Sequence, residues 1–182
     1  MIKLKAYFLL LMLLIFASRG IAAQEKLTNP TIDSLKSVLQ SVEGTQRVDL
    51  LNHIGYNYYY FNNDSTATYA RKALELAEKL DYQKGLSEAQ RIMGISFKAE
   101  NNEAKAIEWL SRGLETAESI NDYQGMADNL NSLGIYYKFV DDIEEALNLF
   151  RRSVHYQRLA GNRLREGRHH TWNGYHDYDD GA

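Results

Sequence analysis

The sequence predicts an all-α protein, a stack of helical hairpins (an α-solenoid) preceded by an N-terminal cap helix. Three observations predict it. Apolar residues recur at helical spacing, proline occurs once, at Pro30, and three segments around residues 55, 94 and 134 repeat one another. Composition agrees: 182 residues with 45% apolar and 25% charged make a folded chain of one or two domains. Without cysteine there is no disulfide framework, no thiolate metal site and no cysteine nucleophile. A net charge of −3 lacks the basic excess of a nucleic-acid binder, so nucleic acid is not an expected partner.

Residues 1–22 read as a signal peptide. Lys3 and Lys5 precede an apolar run over 6–17, and small residues follow, with Gly20 and Ala22 placed for cleavage after Ala22. The run is shorter than the roughly 20 residues of a spanning helix, so membrane attachment enters only if the segment stays uncleaved. Its removal takes away Lys3, Lys5 and Arg19 and leaves 18 basic against 24 acidic residues, a net of −6. The expectation is export, to a bacterial periplasm.

Residues 23–46 form a linker and the cap helix, which Asn29 and Pro30 open and which runs over about 30–42. A solitary helix there covers the outer face of the first repeat, because terminal repeats of a stack need caps. The repeats follow at 47–85, 86–125 and 126–162. Their markers are Gly55, Gly94 and Gly134, spaced by 39 and 40 residues, each followed three positions later by an aromatic: Tyr58, Phe97 and Tyr137. A second set recurs every 40 residues, first Thr66, Ala106 and Ala146, then Ala70, Leu110 and Phe150, then Ala73, Gly113 and Ser153.

Each repeat reads as two helices with polar breaks at Asn62–Ser65, Glu100–Glu103 and Val140–Asp142. Asp141 followed by Glu144 has the form of a capping box. The segments 79–85 and 119–125 separate the repeats. The three glycines let the second helix approach the first, and small residues at 73, 113 and 153 do so from the other side. Gly113 inside a helix costs about 1 kcal/mol against alanine, which close packing offsets.

These residues resemble the tetratricopeptide repeat, best in Leu133-Gly134 with Tyr137, Ala146, Phe150 and Ser153. The resemblance covers 47–160 and implies helical hairpins that bind protein or peptide. It marks Gly55, Gly94, Gly134, Tyr58, Phe97, Tyr137, Ala106 and Ala146 as the repeat core. No tryptophan opens a repeat and no proline closes one, and the period is about 40 rather than 34, which implies longer second helices and loops. The period and the export signal are similar to those of extracytoplasmic sensor regions of bacterial signalling proteins.

The other stripe of each first helix lines the inner curve of such a stack. It comprises Asp49, Glu88 and Asp128, then Asn52, Arg91 and Asn131, then Tyr56, Ile95 and Ile135, then Tyr59, Lys98 and Lys138. The amides suit an extended peptide backbone, the tyrosines and isoleucines supply contact area, and Arg91, Lys98 and Lys138 suit a carboxylate. The Lys/Asn arrangement that clamps a C-terminal carboxylate in chaperone-binding members is not matched.

No catalytic signature is present, His53 reads as a packed or surface residue, and neither an enzyme nor a cofactor is expected. The alternative to an interaction module is a metal-binding or enzymatic tail. Residues 163–182, an irregular stretch or truncated fourth repeat, contain His169, His170, His176, Asp177, Asp179 and Asp180, while Gly174 lies 40 residues after Gly134. Without a further repeat, the stripe Leu147, Phe150 and Val154 lacks its cover, so either self-association through the last hairpin or fraying of that hairpin is the final expectation.

Overall fold

The computed structural model describes residues 30–161 and holds seven helices and no strand there. The chain divides into two units, Met1–Asp33 and Ser34–Ala182. Of the first, only the opening turn of α1 (Pro30–Leu39) is described. The expected signal segment at 1–22 and the tail at 163–182, with Gly174 and the cluster His169, His170, His176, Asp177, Asp179 and Asp180, lie outside the described residues.

The second unit continues with α2 (Gly44–Tyr58), α3 (Asn63–Lys79), α4 (Gln83–Ala99), α5 (Glu103–Ser119), α6 (Tyr123–Phe139) and α7 (Ile143–Leu159). These pair as the hairpins α2–α3, α4–α5 and α6–α7. First helices also neighbour first helices (α2 on α4, α4 on α6), whereas no second helix packs on another second helix. The result is two layers, with α2, α4 and α6 forming one continuous wall.

From α3 onward every helix has 17 residues, about 25 Å, and the helices begin 20 residues apart. The excess over a 34-residue repeat therefore lies in the helices; the expected longer loops are three-residue turns. In each turn one residue takes the left-handed conformation: Asp81, Asn101, Asn121 and Asp141, with φ of 51°, 56°, 55° and 64°. Asn and Asp tolerate this region better than most side chains. The next residue's N–H reaches back five residues, Tyr82 to Ala77, Asn102 to Phe97, Asp122 to Ala117 and Asp142 to Tyr137, each at 2.9 Å. This is the Schellman closure of a helix C-terminus.

That same residue starts the following helix. The Asn102 and Asp142 side chains accept from the N–H groups of Lys105 and Glu145, as Asn62 does from Ser65. Three sequence expectations need correction here. The capping residue is Asp142 and not Asp141, whose left-handed backbone ends the previous helix. The breaks expected at Asn62–Ser65 and Glu100–Glu103 close earlier, with helix resuming at Asn63 and Glu103. The connecting segments 79–85 and 119–125 are mostly helix, and α2, α4 and α6 start at 44, 83 and 123, three residues ahead of the expected repeat bounds.

Packing follows the repeated glycines. A Cβ on Gly94 would lie 2.6 Å from Leu110 Cγ and 3.0 Å from Leu110 N, and one on Gly134 would lie 2.6 Å from Phe150. On Gly55 it would lie 3.3 Å from Tyr69 Cβ and 3.4 Å from the Ala70 backbone. The partners at 70, 110 and 150 are the second repeating set. Gly113 serves a different contact: a Cβ there would meet Asn129 Oδ1 at 2.2 Å, in the next hairpin. Ser87 donates to the Gly113 carbonyl at 2.7 Å, and in the third hairpin Ser153 donates to Ala127 at 2.8 Å, the equivalent contact with donor and acceptor exchanged.

Ala106 and Ala146 are buried as expected, but Tyr58, Phe97 and Tyr137 are only half-buried. They sit in the last turns of their helices, where Phe97 and Tyr137 pack on the rim of the core and Tyr58 stacks on Tyr69. At the first hairpin, Leu39 of α1 packs beside Val48, Leu51, Ala73 and Ala77, and Lys36 lies over the rings of Tyr58 and Tyr69. In α7, Phe150 is buried while Leu147 and Val154 are half-buried.

Two substitutions check this register by urea unfolding. Gly94→Leu lowers stability by about 3 kcal/mol, because it drives a branched side chain into Leu110 and its backbone. Gly55→Ala stays within about 0.5 kcal/mol of wild type, since helix propensity offsets a mild contact. Equal effects at the two sites would refute the packing described.

Candidate functional site

The wall of first helices carries two adjoining cavities. One, of about 610 Å³, is lined among others by Asp49, Asn52, Tyr56, Glu88, Arg91, Asp128 and Asn131. The other, of about 430 Å³, is lined by Tyr56, Tyr59, Tyr60, Arg91, Ile95, Lys98, Leu110, Asn131, Ser132 and Ile135. Tyr56, Arg91 and Asn131 line both, so the two are lobes of one cleft, a polar lobe and a tyrosine lobe. Of the residues the sequence places on the inner stripe, Lys138 alone lines neither lobe; it is exposed at the end of α6.

Helical spacing explains the convergence. Positions 49, 52, 56 and 59 rise along one face of α2 and its terminal turn, and the same offsets recur on α4 and α6. Side-by-side stacking of α2, α4 and α6 turns three stripes into one surface. Outside the predicted stripe, His53, Lys84, Ser87, Asp122, Gln124 and Gly125 also line the polar lobe, and Tyr60, Leu110 and Ser132 the other. The signal for Tyr60 was its place in the 56–60 tyrosine run. Asp122, Gln124 and Gly125 carry no such signal, because they stand in a segment that separates two repeats.

Arg91 is the centre of the cleft and not the open cation its position suggests. Its Nη2 and Nε donate to the two Glu88 carboxylate oxygens at 2.6 and 2.8 Å, and Nη1 donates to Ser132 Oγ at 3.3 Å. Its guanidinium also lies 5.0 Å from the centre of the Tyr56 ring. Burial works against its charge, but the Glu88 carboxylate, helped by Asp128, holds the guanidinium above its ordinary pKa. A bidentate pair of this kind orients both side chains and leaves little of the cation for a ligand.

The amides are partly engaged. Asn52, 3% exposed, donates from Nδ2 to the Gly85 carbonyl at 2.9 Å, which ties α2 to α4, while its Oδ1 accepts no hydrogen bond. Asn131 Oδ1 is likewise buried without a donor. Asp49 accepts from Tyr82 at 3.0 Å; burial, then Asp49 and Asp122, push the Tyr82 phenol up to about 12. A hydrogen bond with Tyr56 pushes Tyr60 up to about 12 as well. Both phenols therefore stay protonated donors at any physiological pH.

Among the described residues no group of three or more His, Asp or Glu is placed to hold a metal ion. No helix among them is long and apolar enough to cross a membrane.

The family model described as the SusR N-terminal TPR domain matches residues 22–97. Among solved structures, aspartyl phosphate phosphatase F from Bacillus subtilis matches with a TM-score of 0.58 and 19% identity, covering 66% of this chain and 32% of its own. The fold is a stack of helical hairpins of the tetratricopeptide type. The chain spans about a third of the length of that structural neighbour, whose likeness is one of fold alone. No curated protein sequence matches. The match to a TPR domain supports a scaffold of the protein-interaction type, and the cleft lies on the face formed by the first helix of each repeat.

Arg91→Glu should lower stability by about 3 kcal/mol, since it buries a carboxylate beside Glu88 and Asp128. Lys98→Glu, on a half-exposed side chain of the same cleft, changes stability by less than about 0.5 kcal/mol. Thermal melts of the two variants check the difference, and equal losses would contradict the pairing described for Arg91.

Proposed function

We infer that the protein is an exported interaction module that binds a protein or peptide segment in the cleft of its first helices. In this reading it works in the periplasm as the sensing part of a signalling system. The observation that carries the binding reading is the two-lobed cleft itself. It joins a charged, hydrogen-bonding lobe to an aromatic and aliphatic one, and buries two amide oxygens without donors. A cleft with few convergent polar groups beside apolar area is the usual form of a binding site.

The export reading rests on the sequence of residues 1–22, and the family match opens at residue 22, where that segment is expected to end. The matched model describes an N-terminal domain, hence one part of a longer protein, which suits a module that reports to something else. Self-association through α7, where Leu147 and Val154 are half-buried, is a further part of this reading.

Two measurements test it in a Gram-negative host expressing the full chain. The periplasmic fraction should yield a protein whose intact mass begins at Ala23; a full-length mass in the membrane fraction would refute cleavage. A photo-crosslinking amino acid at position 59, in the tyrosine lobe, should form adducts there, while the same group at position 115, exposed on a second helix, should not. Adducts at 115 alone would move the binding surface to the other layer.

A further inference from the structure

The polar lobe has the makings of a cation site. Four carboxylates line it (Asp49, Glu88, Asp122 and Asp128) against two cations, Lys84 and Arg91, with His53 exposed at the edge. Both oxygens of Glu88 hold Arg91, whose charge also reaches Asp128, so the lobe keeps an excess of negative charge. Lys84 is exposed. Asp49 accepts from the Tyr82 hydroxyl at 3.0 Å, and Asp128 accepts from the Gln124 amide at 2.9 Å.

A second observation, independent of charge, points the same way. Asn52 is almost wholly buried, lines this lobe, and leaves Oδ1 without a donor, and Asn131 Oδ1 repeats the situation where the lobes meet. A buried carbonyl oxygen without a donor costs about 1–3 kcal/mol, which a ligand N–H relieves once the amide turns toward the lobe. Carboxylates and orphaned carbonyls together are acceptors, so the ligand supplies donors and positive charge. Adjoining them is an apolar lobe walled by tyrosines, Ile95 and Ile135, closed by Leu110.

The geometry points to a peptide ligand in which a lysine or arginine stands beside an aromatic or aliphatic residue. The basic side chain enters the lobe of Asp49 and Asp128, and its neighbour enters the tyrosine lobe. This assignment rests on the cleft being the binding surface, as proposed above. Arginine suits the site best, since a planar guanidinium meets a carboxylate with two parallel hydrogen bonds and stacks on a phenol ring.

The test equilibrates the full chain with a library of end-capped hexapeptides randomised at every position, and identifies retained peptides by mass spectrometry. End-capping removes the terminal charges, so any charge preference belongs to side chains. The expected result is enrichment of lysine or arginine next to an aromatic or aliphatic residue. Asp49→Asn with Asp128→Asn, which keeps shape and removes two charges, should cut that enrichment at least tenfold while circular dichroism stays unchanged. Raising salt should weaken it too. If wild type and this variant retain the same peptides, or acidic peptides are enriched, the cation assignment falls while the cleft remains the binding surface. A third variant, Ile135→Trp, fills the tyrosine lobe. If it retains as much as wild type, the cleft is not the binding surface and both readings fall.

Discussion

The structure depends on one turn. A single Asp or Asn in the left-handed conformation ends a helix, and the residue after it closes the Schellman bond and starts the next. Because the turn is the same after α3, α4, α5 and α6, successive helices begin at a fixed 20-residue interval. That interval places Gly94 opposite Leu110 and Gly134 opposite Phe150. The first hairpin shows what happens without the turn. Phe61 stands where the left-handed residue would fall, a conformation a bulky side chain avoids, and α2 ends after 15 residues in a longer turn.

Given that interval, buried polar contacts join the hairpins to one another. Asn52 reaches the Gly85 carbonyl, Asn129 reaches Ser87 and the Gly125 carbonyl of its own helix, and Arg91 reaches Ser132. Apolar area alone allows neighbouring helices to slide; directional bonds at fixed positions do not. Gly113 makes the Asn129 contact feasible, since any side chain there would occupy the volume of the amide. The small residue inside α5 thus has a specific structural cause. These bonds hold the cleft in shape, since Asn52, Ser87, Arg91 and Ser132 are part of its lining.

A repeat architecture separates two uses of one helix. The face of α4 that carries Ile92 and Met93 packs in the core, while the face that carries Glu88, Arg91 and Ile95 lines the cleft. Since each hairpin contributes the same offsets, the cleft grows by addition; its half-exposed positions, such as Lys98, set its chemistry freely, whereas Asn52, Arg91 and Ile95 are also held in the packing. Asn52, Arg91 and Asn131 occupy one equivalent position, yet Arg91 holds the centre by pairing with Glu88 three residues earlier on its own helix.

Much of the fold was legible in the sequence. The 39- and 40-residue spacings of the glycines and the matching sets downstream define hairpins, because such periodicity is a property of the chain, but only the structure shows that Gly113 serves the next hairpin instead of its own. The offsets from each glycine also located the cleft-facing stripe, since helical geometry converts spacing into direction. Helix ends were less legible: Asp141 and Asp142 are chemically alike, and only the backbone shows that one ends a helix and the other caps the next. The aromatics at 58, 97 and 137 looked like core because their spacing was regular, but proximity to the turn leaves them half-buried. The state of Arg91 depended on tertiary structure altogether. Its charge and position were in the sequence, but its burial, its bond to Ser132 41 residues away and the stacking on Tyr56 exist only once three helices lie side by side.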